Sequence, residues 1–126
     1  MEELMLTNSE WYVLDCLWER SPMTVMELVA ALNRRVGWAK STTITNLRRM
    51  EEKGLVRCEL SGRTRRFFPN VEREGAVLRE TRSFLDKVYR GSVGLMVSAM
   101  AQDQALTKEE IQELYAILKE AEEGRK

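Results

Sequence analysis

The chain has 126 residues, 44% of them hydrophobic, and a formal net charge of zero, which suits one compact domain with an appendage. No apolar run approaches the ~20 residues of a membrane-spanning helix, so membrane insertion is not expected. There is no histidine, no glycine-rich phosphate loop, and only two cysteines, Cys16 and Cys58, far apart in sequence; neither an enzyme nor a metal or cofactor site is expected.

The cysteines read as small buried hydrophobes in a reducing compartment. The acidic start, MEELMLTNSE, lacks the basic and apolar segments of a signal peptide, and the expected location is the cytoplasm. The zero net charge conceals a gradient. Residues 1–32 carry six acids and one base, whereas residues 33–66 carry ten bases and three acids. A local basic band draws an anionic partner whatever the total charge.

The first helix starts in LTNSEW, where Thr7 is the cap, Glu10 follows three residues on, and Leu6 and Trp11 have the spacing of a hydrophobic staple. It runs to about Glu19 with Trp11, Leu14, Leu17 and Trp18 inward, and Arg20-Ser21-Pro22 breaks it. MTVMEL repeats the device with Thr24 and Glu27, stapled by Met23 and Leu28. That second helix extends to about Arg35, turns Leu28, Ala31 and Leu32 inward, and stops at Gly37.

The third helix lies within GWAKSTTITNLRRMEEKGLV, residues 37–56. At 100° per residue, Lys40, Thr43, Leu47, Met50 and Gly54 share one side, and Ser41, Thr42, Thr45, Arg48, Arg49 and Glu52 the other. Lys53-Gly54 is a helix end. LVRCEL and TRRFFPNV then read as two short strands joined at Ser61-Gly62, with Pro69 ending the second or marking an edge. Three helices followed by an arginine-bearing hairpin form a winged helix-turn-helix.

Residues 73–90 read as a fourth helix, GSVGLMVSAMAQ as a short, nearly all-apolar fifth, and the stretch from Thr107 as a sixth, with a third capping pair in Thr107 and Glu110. The expected fold is mostly α with a small β-hairpin: a winged-helix domain over residues 1–71 and a helical dimerisation region over 72–126. A helix apolar nearly all round must be buried, and the two neighbours of the fifth cannot cover it alone. A second copy supplies the cover, through Phe84, Val88, Leu95, Met96, Met100, Ile111, Leu114 and Leu118.

A helix entering the DNA major groove offers side chains from its first turns to base edges. The hydroxyls of Ser41, Thr42 and Thr45 suit that place. Lys40, Arg48 and Arg49 lie nearer the phosphates, and Arg63 and Arg65, alternating on one face of the hairpin, reach the neighbouring backbone. The competing readings are a solvated basic face and a winged helix that pairs proteins without touching DNA; salt-dependent binding to duplex DNA separates them.

The chain also resembles the penicillinase-repressor family, the BlaI/MecI/CopY group of bacterial transcriptional repressors. The resemblance is carried by LTNSEWYVLDCLWE, by Thr42-x-x-Thr45-x-Leu47-x-Arg49-Met50-x-x-Lys53-Gly54, by RRFFPNV, and by SFLDKVYRGSVGLMVSAM and LTKEEIQELYAILKE. It implies a homodimer on a palindromic operator, joined by its C-terminal helices. It further implies repression of a resistance operon, relieved when a membrane sensor-protease responds to a β-lactam. Base contacts in that family map to Ser41, Thr42, Ile44 and Thr45. Relatives with β-lactam roles carry basic residues where Ser41 and Ile44 stand here, and their Asn-Phe cleavage bond maps to Ala99-Met100. The copper-responsive branch has a C-terminal cysteine cluster that this chain lacks.

Overall fold

Threonine–glutamate pairs fix where three helices begin. In the computed structural model, which describes residues 5–103 and 105–124, Glu10 N–H donates to Thr7 Oγ1 at 3.2 Å while Thr7 N–H donates to Glu10 Oε1 at 2.9 Å. Thr24–Glu27 and Thr107–Glu110 form the same reciprocal pairs. Each pair satisfies two backbone donors that a helix start otherwise leaves open. The elements in chain order are α1 (Asn8–Glu19), β1 (Met23–Thr24), α2 (Val25–Val36), α3 (Lys40–Lys53), β2 (Val56–Ser61), β3 (Thr64–Pro69), α4 (Arg73–Tyr89), α5 (Val93–Gln102) and α6 (Lys108–Glu123).

The hairpin belongs to a three-stranded antiparallel sheet of order β1-β3-β2. Strand β1 has only two residues, Met23 opposite Phe67 and Thr24 opposite Arg66, too few for any period-2 pattern in the sequence. It exists because a capping residue has extended backbone; Thr24 sits at φ −78°, ψ 166°. Strand β3 is therefore central, and Pro69 occupies its last position, where a missing donor costs little. The turn is Gly62-Arg63, one residue later than the expected Ser61-Gly62, because Ser61 pairs with Thr64 and so belongs to β2. Gly62 adopts φ 66°, a left-handed conformation that glycine takes without strain.

The core joins Val13, Leu14, Cys16 and Leu17 of α1 to Leu28, Ala31 and Leu32 of α2, Leu47 and Met50 of α3, and Leu55, Val56 and Phe67 around the sheet. Each fully buried leucine contributes roughly 1.5–3 kcal/mol of transfer free energy. The two tryptophans expected inward lie half-buried at its margin, edge to face at 5.3 Å. Trp18 Nε1 donates to the Val71 carbonyl at 2.8 Å, a polar demand that keeps an indole out of a purely apolar centre. Cys16 is buried and Cys58 only half-buried.

Contacts divide the chain into two compact units, one ending at Thr81 inside α4 and one beginning at Arg82. The first is a winged helix-turn-helix. In the second, neither α5 nor α6 has a buried residue, and Leu95, Met100, Ile111, Tyr115 and Leu118 are exposed.

Glu10, only 5% exposed, uses its second oxygen to accept from Lys53 Nζ at 2.7 Å, joining the start of α1 to the end of α3. Burial opposes ionisation of this carboxyl, but the Lys53 hydrogen bond, the Thr7 backbone N–H and the Lys53 charge outweigh it and hold the pKa below the usual glutamate value. A depressed carboxylate pKa stabilises the fold above its unfolded-state value, and that contribution is lost as pH falls through the folded-state value. Lys53→Met should cost about 1–2 kcal/mol at pH 7, a figure reduced because Lys53 is half-exposed. The gap from wild type should shrink below about pH 4, as urea titrations at several pH values will show.

Candidate nucleic-acid interface

Helix α3 buries Thr43, Leu47 and Met50, spaced at one helical stripe. Ser41, Thr42, Ile44, Arg48, Arg49 and Glu52 are exposed, and Thr45 is half-buried between the two faces. Lys40, which the helical angle puts on the inward side, is exposed as the first residue of the helix. Gly54 is exposed too, as the left-handed cap that ends the helix. Unlike α1, α2, α5 and α6, α3 begins without a side-chain cap, because Ala39 has no side-chain oxygen; its first-turn N–H groups are open to an external acceptor.

Ser41, Thr42, Thr45, Asn46 and Arg49 together line a shallow depression on the outward face. Asn46 was not among the expected residues. It lies one turn after Thr42, and its Nδ2 donates to the Thr42 carbonyl at 2.9 Å, which aligns its amide beside the hydroxyls. Its place on the helical wheel, 40° from Thr42, is the signal that identifies it.

The two wing arginines do not share a face. Arg63 sits in the turn, exposed, and has no ion pair among the described residues. Arg65 stands opposite Leu60 on the inner face, in line with the Cys58–Phe67 and Val56–Pro69 pairs. Its Nη2 donates to Glu51 Oε1 of α3 at 3.0 Å and its Nε to Cys58 Sγ at 3.1 Å, with the guanidinium 5.4 Å from the Phe67 ring centroid. Glu51 is half-buried and engaged. On the outer face Arg57 stacks over Phe68 at 4.2 Å. A groove between α3 and the sheet is lined by Val25, Ile44, Leu47, Arg48, Glu51, Arg65 and Phe67.

In the second unit Phe84, Val88, Leu95, Met100, Ile111 and Leu118 are exposed, whereas Met96, Ala99 and Leu114 are half-buried. Among the described residues no group of three or more metal-ligating side chains occurs, and no helix is long and apolar enough to cross a membrane.

The profile of the family described as penicillinase repressor matches residues 6–120. The chain belongs to the penicillinase repressor family. It is 29% identical over 121 residues to the penicillinase repressor of Bacillus licheniformis, covering 96% of this chain and 94% of that one. It is 22% identical over 113 residues to the methicillin resistance regulatory protein MecI of Staphylococcus aureus (strain N315), covering 90% and 92%. Its fold is similar to the solution structure of the DNA binding domain of the repressor BlaI, with a TM-score of 0.50 and 25% identity, covering 54% of this chain and 83% of that one. This is a family of transcriptional repressors, not of enzymes.

The thiols offer a direct check on the packing of the first unit. Burial raises the Cys16 pKa above the usual thiol value, and the side chain is 2% exposed. A small thiol reagent should modify Cys58 in the native protein and leave Cys16 unmodified until the chain is unfolded in urea; peptide mass mapping distinguishes the two.

Proposed function

We propose that the chain is a transcriptional repressor that grips duplex DNA with α3 and the wing, as a homodimer on a palindromic operator. The observation that carries this reading is one face of α3. The exposed Ser41, Thr42 and Arg49 and the half-buried Thr45 and Asn46 stand there around an open depression. The same helix also exposes Arg48, and the wing is tipped by Arg63. Ser41, Thr42, Ile44 and Thr45 face base edges, and the exposed Ile44 suits a thymine methyl. Lys40, Arg48, Arg49 and Arg63 meet phosphates, which position the protein without reading sequence.

The operator is obtained by selecting tight binders from a random duplex pool with the wild-type chain. Thr45→Ala should then weaken binding to the selected duplex by roughly 1 kcal/mol or more and leave random duplex nearly unaffected. Arg49→Ala should weaken both alike and lower the salt slope by about one unit. Binding that is insensitive to salt overturns the reading in favour of a protein-pairing module.

The partner copy is held by the second unit, where Phe84, Val88, Leu95, Met96, Met100, Ile111, Leu114 and Leu118 supply an apolar surface that the single chain leaves largely uncovered. Two-fold pairing sets two α3 helices about one DNA turn, ~34 Å, or a multiple apart. Ile111→Asp places an unpaired charge in that surface, at a cost of several kcal/mol. Sedimentation at micromolar concentration should give a dimer for the wild type and a monomer for Ile111→Asp, with the first unit still folded; a monomeric wild type or a dimeric variant overturns the dimer. Repression of a resistance-type operon, relieved by a membrane sensor-protease acting near Ala99-Met100, completes this reading.

A further inference from the structure

An acid inside a phosphate-facing groove repels the partner unless it has another use. Glu51 is that acid. It stands on the α3 stripe of Ile44, Leu47 and Arg48, and Arg48 has no carboxylate partner among the described residues. Glu51 instead takes Arg65 across the groove at 3.0 Å. Arg65 is held on two further sides, by Cys58 Sγ at 3.1 Å and beside the Phe67 ring. A guanidinium is planar and always charged, so contacts in several directions fix its plane as well as its position. Beyond this point the wing has only one more ladder pair, Ser61–Thr64, and the Gly62-Arg63 turn. Leu60, the rung partner of Arg65, is 74% exposed, so apolar packing does not hold the tip.

We infer that Glu51 and Arg65 form a latch that seats the wing against α3, which makes Arg65 a positioning residue and leaves Arg63 as the wing's contact with phosphate. This rests on the DNA-binding reading above. The two possible roles of Arg65 predict opposite signs at Glu51. If Arg65 itself met phosphate, removing Glu51 would free the arginine, delete a repulsive charge and tighten binding. If the pair is a latch, removing Glu51 lets the tip swing away and weakens binding.

The test compares the wild type, Glu51→Ala, Arg65→Ala and the double variant on the selected duplex and on a random-sequence duplex across a salt series. Glu51→Gln serves as a second variant that keeps the side-chain shape and removes only the charge. The latch predicts that both single variants weaken binding to both duplexes by about fivefold, the factor that corresponds to a pair of about 1 kcal/mol. The double variant should be no weaker than either single one. Glu51→Ala and Glu51→Gln should also lower the salt slope by about one unit, the loss of one phosphate contact at Arg63. Tighter or unchanged binding by the Glu51 variants, or additive losses, overturns the latch while the DNA-binding reading stands. A wild type that shows no salt-dependent binding to either duplex overturns both.

Discussion

One buried carboxylate, Glu10, holds the first unit in register. One oxygen closes the start of α1 and the other grips the last residue of α3. Lys53 is followed at once by the left-handed Gly54, then by Leu55 and Val56, both buried. Pinning Lys53 therefore pins the entry of the chain into β2, and through β2 the wing. A charge so far from water is tolerable because its hydrogen-bonding capacity is used by groups that favour the ionised form. The face that α3 presents outward is thus set partly by an acid on its other side.

The helices were legible because local chemistry decides them. Their inward stripes were legible in part: Leu14, Leu17, Leu28, Ala31, Leu32, Leu47 and Met50 are buried as their phase implies, whereas Trp11 and Trp18 stay half-buried and Lys40 is exposed. Thr7, Thr24 and Thr107 each stand three residues before a glutamate, and each is the cap the sequence implies. Thr43 shows which rule dominates when two conflict. Its hydroxyl argues for an outward place, but helical phase sends it inward, where it is fully buried and its side-chain oxygen finds no hydrogen-bond partner among the described residues. What escaped the sequence was tertiary. Strand β1 is a cap residue and its neighbour recruited by β3, and the sidedness of the wing arginines depends on a turn placed one residue later than composition suggests.

The same distinction holds at the candidate site. Hydroxyls and arginines on α3 could be listed from their angles alone, and Asn46 follows from the same wheel. The partnership of Arg65 with Glu51 could not, because it joins residues 14 positions apart across a helix and a strand. Charge counting sees a basic band with three acids in it. The fold distinguishes them: Glu51 takes Arg65, Glu59 takes Arg57, and Glu52 has no ion pair among the described residues.

Thr24 serves two elements at once, as the cap of α2 and as the strand residue opposite Arg66. The sheet that bears the wing and the helix that precedes α3 therefore share a residue, and neither rotates without disturbing the other. A hairpin attached only at its base must be ordered when it meets a partner, and that ordering subtracts from affinity. Here the base of the wing is already ordered with α2 when the chain folds, and farther out the Glu51–Arg65 pair ties β3 to α3.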